Sequence, residues 1–306
     1  MISYEKITWP VVHEQSPVVC QFLNDKIAIG NVSGDIILFE LKDKNSTQIR
    51  IQAIHSLSLL SISSPEDGSF LVTTSMDGIC AVTNSSDLKL IREIPCKEAV
   101  FPRAKVSRNG KVIAIAGNNG ILYLEKEGDI QTFQLSHESF IDLDFFGVND
   151  SKLVCITRHI VVIFDVEKLE TLNKLEIKGM DSSARNHCVA GSPNEDKYAI
   201  GSSNGWVTLY SADESENKLF EIAILTHGKS ERVKLIEKMQ YTPDGSVLVA
   251  STSNGTVVFL NSQTLVVEKS IKDQRSRVFW ISISQNYRMV SVADDKTVLV
   301  STLRDN

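Results

Sequence analysis

The segment Lys26-Ile27-Ala28-Ile29-Gly30-Asn31-Val32-Ser33-Gly34-Asp35-Ile36-Ile37-Leu38-Phe39 decides how the whole chain is interpreted. It contains a short apolar strand, a small polar turn and a second strand with alternating apolar residues. Tyr198-Ala199-Ile200-Gly201-Ser202-Ser203-Asn204-Gly205-Trp206-Val207-Thr208-Leu209-Tyr210 repeats this pattern. Weaker copies occupy residues 70–82, 112–124, 153–164, 247–259 and 289–300. A unit that recurs in this way predicts a repeat architecture.

The turn within each copy recurs at a nearly constant spacing. The turn positions are Gly34, Gly78, Gly120, His159, Gly205, Gly255 and Lys296. Their mean separation is about 44 residues, which is typical of a four-stranded propeller blade. Glycine suits a tight hairpin turn because it adopts positive φ without steric cost, so we expect turns of another type at His159 and Lys296. The seven copies predict an all-β, seven-bladed β-propeller.

Each copy divides into four strands. In the second copy we expect strands at 57–63, 69–75, 78–83 and 88–94. The last copy stops after its third strand, whereas a spare strand, Tyr4 to Val12, precedes the first copy. If this strand joins the last blade, the ring closes without an open edge, and open edges promote aggregation. Lys229 to Gln240 comes nearest to a helical pattern, but its place in the repeat predicts a loop and an inner strand. We therefore expect one domain over residues 1–306.

Composition restricts the classes of protein that fit. The chain has 306 residues, a net charge of −6 and 42% hydrophobic residues. These values predict a globular protein that does not bind nucleic acid directly. The five cysteines are scattered and odd in number, which predicts reduced thiols in the cytoplasm or nucleus. No apolar run approaches the roughly 20 residues that cross a membrane, and no signal peptide is evident, so we expect no membrane partner.

No pattern in the sequence predicts catalysis, a metal site or a cofactor. The six histidines lack the HExxH and HxH spacings of metal ligands. A GxSxG nucleophile elbow and a phosphate-binding loop are both absent. Asp294 and Asp295 lie on a predicted turn, where adjacent side chains diverge, so a solvated turn is favoured over a calcium site. Gly117 to Gly120 joins two strands and opens no helix, which argues against phosphate binding. We expect that the protein is not an enzyme.

The repeats resemble the WD-repeat family over the whole chain, although weakly in each copy. His55 and His137 precede inner strands, where the family keeps a structural histidine, and the tight-turn aspartate remains at Asp77 and Asp295. Phe164-Asp165 is the closest counterpart of the Trp-Asp pair that ends a repeat. The resemblance implies a propeller. The departures from the pattern leave the family's His-Ser-Asp hydrogen-bond network without many of its usual residues.

Within this family the chain resembles the small WD-repeat subunit of the superkiller complex, which in animals also serves the RNA polymerase-associated factor complex. Ser276 to Ser282, followed by Met289 to Lys296, is similar to that subunit's final repeat. His55-Ser56-Leu57 with Ser75-Met76-Asp77 is similar to its second repeat. The resemblance implies a role in RNA decay or transcription, as a monomer within a larger hetero-complex.

Two sets of residues face the top rim of such a propeller: those before the tight-turn Asp or Asn, and those that enter each inner strand. Turn residues are normally polar, so apolar residues there indicate a protein-binding patch. Methionine, aromatic residues and arginine are enriched at interface centres. The candidate protein-binding residues are Val32, Met76, Phe101, Arg103, Phe140, Arg277 and Trp280. The alternative places these side chains in the core, and for Trp280 a shift of one residue decides between the two.

Two functions remain open from the sequence. The one that we favour is a non-catalytic scaffold that binds peptide segments of larger proteins on the top rim. The other is a propeller that contacts nucleic acid or phospholipid directly, which needs a basic patch that the sequence does not reveal. Arg275 to Arg277 is short and has acidic surroundings, so we expect a solvated surface there.

Overall fold

The strands of a computed structural model form seven four-stranded sheets, as the repeats predict. The structure describes residues 4–7, 15–42, 45–96, 101–177, 185–212, 218–224 and 234–303. The chain starts with β1 (Tyr4–Ile7). Blade one contains β2 (Pro17–Leu23), β3 (Lys26–Asn31), β4 (Asp35–Lys42) and β5 (Asn45–Ala53). Blade two contains β6 (Leu59–Ser63), β7 (Phe70–Ser75), β8 (Cys80–Asn84) and β9 (Leu90–Ile94).

The later blades follow the same plan, from an inner strand outward. Blade three contains β10 (Arg103–Val106), β11 (Val112–Ala116), β12 (Ile121–Lys126) and β13 (Asp129–Gln134). Blade four contains β14 (Asp142–Phe146), β15 (Lys152–Ile156), β16 (Ile160–Asp165) and β17 (Glu170–Glu176). Blade five contains β18 (Asn186–Gly191), β19 (Lys197–Ser202), β20 (Trp206–Ser211) and β21 (Lys218–Ala223). Blade six contains β22 (Ile236–Tyr241), β23 (Val247–Thr252), β24 (Val257–Asn261) and β25 (Val267–Ile271). Blade seven contains β26 (Val278–Ile283), β27 (Arg288–Ala293) and β28 (Val298–Thr302), with β1 as its fourth strand.

The fold is an all-β, seven-bladed β-propeller, as predicted. By their packing the residues divide into two compact units. Unit one comprises Met1–Ile115, Tyr123–Gln131 and Phe279–Asn306, and unit two comprises Ala116–Leu122 and Thr132–Val278. Blades one and two and nearly all of blade seven belong to unit one, and blades four to six belong to unit two. Blade three contributes to both.

The N-terminal strand joins the last blade, as the sequence predicts. β1 runs antiparallel to β28, with Tyr4 opposite Ser301 and Ile7 opposite Val298. The predicted strand continued to Val12, and residues 8–12 lie outside the described residues. In the described part of the chain the one helical element is a 3-10 helix, Val148–Asp150. The segment from Lys229 to Gln240 was expected to form a loop and an inner strand, and that strand is β22. Residues 229–233 lie outside the described ranges.

Side chains of the inner strands connect neighbouring blades. Within unit one, the Ser61 Oγ accepts a hydrogen bond from the backbone N–H of Ala104 at 2.9 Å. Within unit two, the Asp142 Oδ2 accepts the backbone N–H of Val189 in the same way, at 3.1 Å. The carboxylate is buried, and Lys238 from β22 lies 2.7 Å from it and is buried as well. The Asp142–Lys238 ion pair therefore joins blades four and six, and the hydrogen bond from Val189 joins blade five to the same carboxylate. In blade two the corresponding acceptor is the neutral hydroxyl of Ser61.

The hairpin turns between second and third strands contain glycines with positive φ at the five positions where glycine was expected. Gly34, Gly78, Gly120, Gly205 and Gly255 all have positive φ. A Cβ on Gly34 would stand 2.2 Å from the carbonyl oxygen of His55, so no other residue fits there without movement of the backbone. The turn at His159 is shorter, since Thr157 N–H bonds to the carbonyl of Ile160. The expectation of a different turn is wrong for Lys296, because Lys296 itself adopts φ 63° and Ala293 bonds to Thr297 as in a glycine turn.

The family's hydrogen-bond network is present in blade two. The Nδ1 of His55 lies 3.2 Å from the Asp77 carboxylate, and its Nε2 lies 2.9 Å from the Thr73 hydroxyl. The Asp77 carboxylate also accepts the backbone N–H of Ser56 at 2.9 Å. His55 is buried, whereas His137, expected to play the same part, is exposed. The expectation for His137 is therefore wrong.

Replacing His55 by alanine should lower the free energy of unfolding by about 2 kcal/mol, because it removes two buried hydrogen bonds and leaves a cavity. Burial lowers the pKa of His55 from 6.5, outweighing the attraction of Asp77. The unfolded chain thus binds the proton first, so stability falls as the pH decreases below 6.5. The variant should lack this part of the pH dependence in urea titrations. His137→Ala is the control, and an equal loss in both variants would contradict the network's role.

Candidate protein-binding surface

One edge of each sheet carries the turn between second and third strands together with the loop that enters the next inner strand. We call it the upper edge. Between blades one and two the backbone N–H of His55 bonds to the carbonyl of Gly34 at 3.1 Å. Within blade two Met76 N–H bonds to the carbonyl of Ser58 at 2.9 Å. These bonds fix the loops and turns of unit one against each other.

Four large apolar side chains are exposed on the upper edge of unit one. Val32 is 38% exposed, Leu57 50%, Met76 47% and Phe101 51%. The Ser75 hydroxyl donates to the carbonyl of Leu57 at 2.9 Å, which holds the Leu57 loop beside the Met76 turn. We call these four residues the apolar edge. Turn positions normally carry polar residues, so this group is unusual for a solvated edge.

Phe101 has a strained backbone as well as an exposed ring. Its φ is 53°, in the left-handed region that bulky residues rarely adopt. The carbonyl of the next residue, Pro102, accepts a hydrogen bond of 2.8 Å from the Thr74 hydroxyl, which also contacts the Ser61 hydroxyl at 2.6 Å. These bonds anchor the loop to blade two. Residues held in sparsely populated conformations concentrate at binding sites.

The other predicted rim residues have different surroundings. Phe140 is 3% exposed, so the expectation that it lies on an accessible rim is wrong. Its N–H bonds to the carbonyl of Gly117, and the chain enters blade four with the ring turned into the core. Trp280 is half-buried and packs against the apolar clusters that contain Cys20 and Val19. Arg103 is half-buried on β10.

Arg277 lies on the upper edge of unit two and pairs with a buried carboxylate. Its Nε lies 2.5 Å from the Glu237 Oε1, and its Nη2 lies 2.8 Å from the Oε2. His187 approaches the same carboxylate with its Nε2 at 3.6 Å. Glu237 comes from β22 and Arg277 from the loop before β26, so this pair joins blade six to the loop that follows it.

The sequence did not reveal Leu57 as a member of the apolar edge. The repeat pattern places it on the inner strand of blade two, where alternate residues point into the core. In the structure that strand begins at Leu59, and Leu57 remains in the loop with half of its surface exposed. The pattern Ser56-Leu57-Ser58, an apolar residue between two small polar ones, is the signal that could have placed it on the surface.

The described residues contain no cluster of three or more His, Cys, Asp or Glu side chains that could hold a metal ion. The five cysteines are buried and free, as expected. Burial raises the pKa of Cys20 and Cys80, which keeps these thiols protonated and poorly reactive. Among the described helices none is long and apolar enough to cross a membrane.

Comparisons with known proteins agree with the repeat pattern. The profile of the WD domain, G-beta repeat, matches residues 46–84, the segment that contains His55, Thr73 and Asp77. The profile of the anaphase-promoting complex subunit 4 WD40 domain matches residues 189–286. Apoptotic protease-activating factor 1 of Danio rerio is 24% identical over 120 residues, which cover 39% of this chain and 9% of that relative.

A solved structure supports the same architecture. The chain superposes on the structure of U3-55K with a TM-score of 0.81, over 99% of this chain and 98% of that one. The two sequences are 11% identical, so the likeness concerns the fold alone. Together with the matched repeats and the seven sheets, it leads to one conclusion. The chain contains WD40 repeats and is a seven-bladed β-propeller.

Proposed function

We propose that the protein is a non-catalytic scaffold that binds peptide segments of larger proteins on the apolar edge of unit one. WD40 propellers are typically scaffolds for protein interactions. The observation that carries the proposal is the group of Val32, Leu57, Met76 and Phe101 on one edge, with 38–51% of each side chain exposed. Such a group gains little from contact with water, so covering it with a partner is favourable.

The apolar edge is also preorganised. Its loops are held by hydrogen bonds from Ser75 to Leu57 and from Thr74 to Pro102. A surface that is rigid before association loses less conformational entropy when a peptide binds. Methionine and aromatic side chains are common at interface centres, and here Met76 and Phe101 provide one of each.

The larger assembly is a further part of the proposal. The similarity of residues 276–282 and 289–296 to the final repeat of the small superkiller WD-repeat subunit supports membership of a complex of that kind, in RNA decay or transcription. The experiment is affinity purification of the full chain from native extract, followed by mass spectrometry. Recovery of the other subunits of such a complex supports this assignment, and their absence from repeated purifications counts against it.

Alanine at Met76 or at Phe101 should weaken partner binding by about 2 kcal/mol, because buried anchor side chains dominate interface energies. The melting temperature should change little, since both side chains are exposed. Binding is measured by interferometry with the partner recovered from extract. Leu90→Ala is the matched control, because Leu90 is 51% exposed but lies on the outer strand β9. If the alanine variants bind as tightly as the wild type, the apolar edge is not the binding surface.

A further inference from the structure

The upper edge of unit two differs in charge from the chain as a whole. The protein has a net charge of −6. On this edge, the described residues of blades four to six and the loop that follows them include six Lys and Arg side chains but only four carboxylates. The cations are Arg158, Arg185, Lys234, Lys272, Arg275 and Arg277. The carboxylates are Glu138, Glu176, Glu237 and Asp273. Arg158, Arg185 and Lys234 are all exposed and form no ion pair with another described residue.

Backbone contacts place three of these cations along neighbouring blades. The carbonyl of Arg158, in the turn of blade four, accepts the N–H of Asn186 at 3.0 Å. The carbonyl of Arg185 accepts the N–H of Ser203, in the turn of blade five, at 2.8 Å. Lys234 precedes Leu235, whose carbonyl accepts the N–H of Ser253 in the turn of blade six at 3.1 Å. The three side chains, which we call the basic edge, thus follow one row of loops and turns.

Two of the four carboxylates on this edge are already engaged. Glu138 accepts a hydrogen bond from the Thr157 hydroxyl at 2.6 Å and lies 3.6 Å from His159. Glu237 is buried beneath Arg277 and His187. Thr157 is neutral, so Glu138 keeps its negative charge, whereas Glu237 is already paired with Arg277. Outside that pair, five cations and three carboxylates of the described residues remain on this edge, so its net charge is positive.

The Arg277–Glu237 pair shows which chemistry this edge favours. The guanidinium donates one hydrogen bond, from Nη2 to Oε2 at 2.8 Å, while its Nε lies 2.5 Å from Oε1 without hydrogen-bond geometry. A planar guanidinium presents several N–H donors to a carboxylate and pairs with it more strongly than an ammonium does. Arg158 and Arg185 provide two further guanidinium groups that are exposed to solvent. The edge is therefore suited to carboxylates presented by a second molecule.

We propose that the basic edge binds an acidic segment, rich in Asp and Glu, of a partner protein. This surface lies in unit two, and the proposal does not depend on the apolar edge of unit one. The sequence does not reveal this group of cations, because the three residues are separated by 27 and 49 residues along the chain. The overall net charge of −6 disfavours a long nucleic acid, whereas a short acidic peptide needs to contact only three blades.

The test uses the full chain and a fluorescein-labelled peptide of alternating Asp and Glu, about ten residues long, at about 50 mM salt, where surface charges are weakly screened. The triple variant Arg158→Glu, Arg185→Glu, Lys234→Glu should bind the peptide at least about tenfold more weakly, since like charges oppose association. The control is Lys111→Glu, Lys126→Glu, Lys168→Glu, which has the same net charge. These exposed lysines lie in or beside turns at the opposite edge of their sheets. It should bind within about twofold of the wild type, because a strand of five or six residues, about 17–20 Å long, separates the two edges of a sheet and exceeds the Debye length even at this salt concentration.

Circular dichroism establishes that both triple variants are folded before their affinities are compared. A tenfold loss in the first variant and not in the control supports the proposal. Equal losses in both variants would show that net charge alone drives binding, and absence of binding to the wild type would overturn the proposal outright. An oligouridine of about ten nucleotides is the second probe. If it binds more tightly than the peptide and depends on the same three residues, the basic edge is a nucleic acid surface and the acidic protein partner is wrong.

Discussion

Replacing Lys238 by methionine should lower the free energy of unfolding by about 3–5 kcal/mol, because it leaves the buried Asp142 carboxylate without its cation. The Lys238 Nζ lies 3.0 and 2.7 Å from the two carboxylate oxygens, and both side chains are at most 8% exposed. Methionine fills much of the lysine volume, so the decrease in the free energy of unfolding comes from the uncompensated charge and not from a cavity. Urea titration followed by tryptophan fluorescence measures it.

Two further variants distinguish this explanation from simple disruption of the core. Asp142→Ser combined with Lys238→Met should recover to within about 1 kcal/mol of the wild type, since removing both charges of a buried pair is often neutral. Serine can accept the Val189 N–H, as Ser61 accepts the Ala104 N–H in blade two. Lys168→Met removes an exposed lysine 4.0 Å from Asp165 and should cost at most about 0.5 kcal/mol. If the double variant is as unstable as Lys238→Met, the charge explanation is wrong.

The fold was predictable because its determinants are local and repeated. Each blade combines apolar alternation with a turn residue at a fixed place, so errors in one copy are corrected by the others. The strands of blade two were expected within two residues of their actual limits. The turn at Lys296 shows where this reasoning fails. A lysine adopts φ 63° there although the residue type disfavours it, because the surrounding hairpin imposes the conformation.

The candidate surface was only partly predictable, since exposure depends on where a strand begins. A shift of two residues moved Leu57 from the expected strand to the surface loop. Phe140 differs in the opposite sense, because its segment turns inward before β14 begins. Val32, Met76 and Phe101 were expected on an accessible rim and are exposed. Their role in binding stays a prediction.

The charged features were hidden from the sequence for a different reason. Asp142 and Lys238 are 96 residues apart and belong to no motif, so only the arrangement of blades four, five and six brings them together. Arg158, Arg185 and Lys234 are likewise dispersed along the chain, in three successive blades. In a repeat protein, residues at equivalent positions of successive blades become neighbours. A search for like charges at equivalent loop positions would have revealed the basic edge.

Deletion of residues 1–12 should lower the melting temperature by about 5–10 °C, because blade seven loses its fourth strand. β1 pairs with four residues of β28, and a backbone hydrogen bond contributes about 0.5–1.5 kcal/mol. The deletion also bares β28, whose residues Val298 and Val300 pack in the cluster that joins blades seven and one. An open strand edge of this kind should make the variant associate at high concentration, which light scattering detects.

A synthetic peptide of residues 1–12 tests whether the strand itself is responsible. Added to the deleted chain, it should raise the melting temperature as its concentration increases, since a ligand that binds the folded state stabilises it by mass action. The same peptide with proline in place of Lys6 is the control, because Lys6 lies opposite Leu299 in the ladder and proline has no N–H to donate. Calorimetry follows all three samples. Unchanged melting after the deletion would show that β1 does not fasten blade seven, and rescue by the proline peptide would show that pairing with β28 is not the cause.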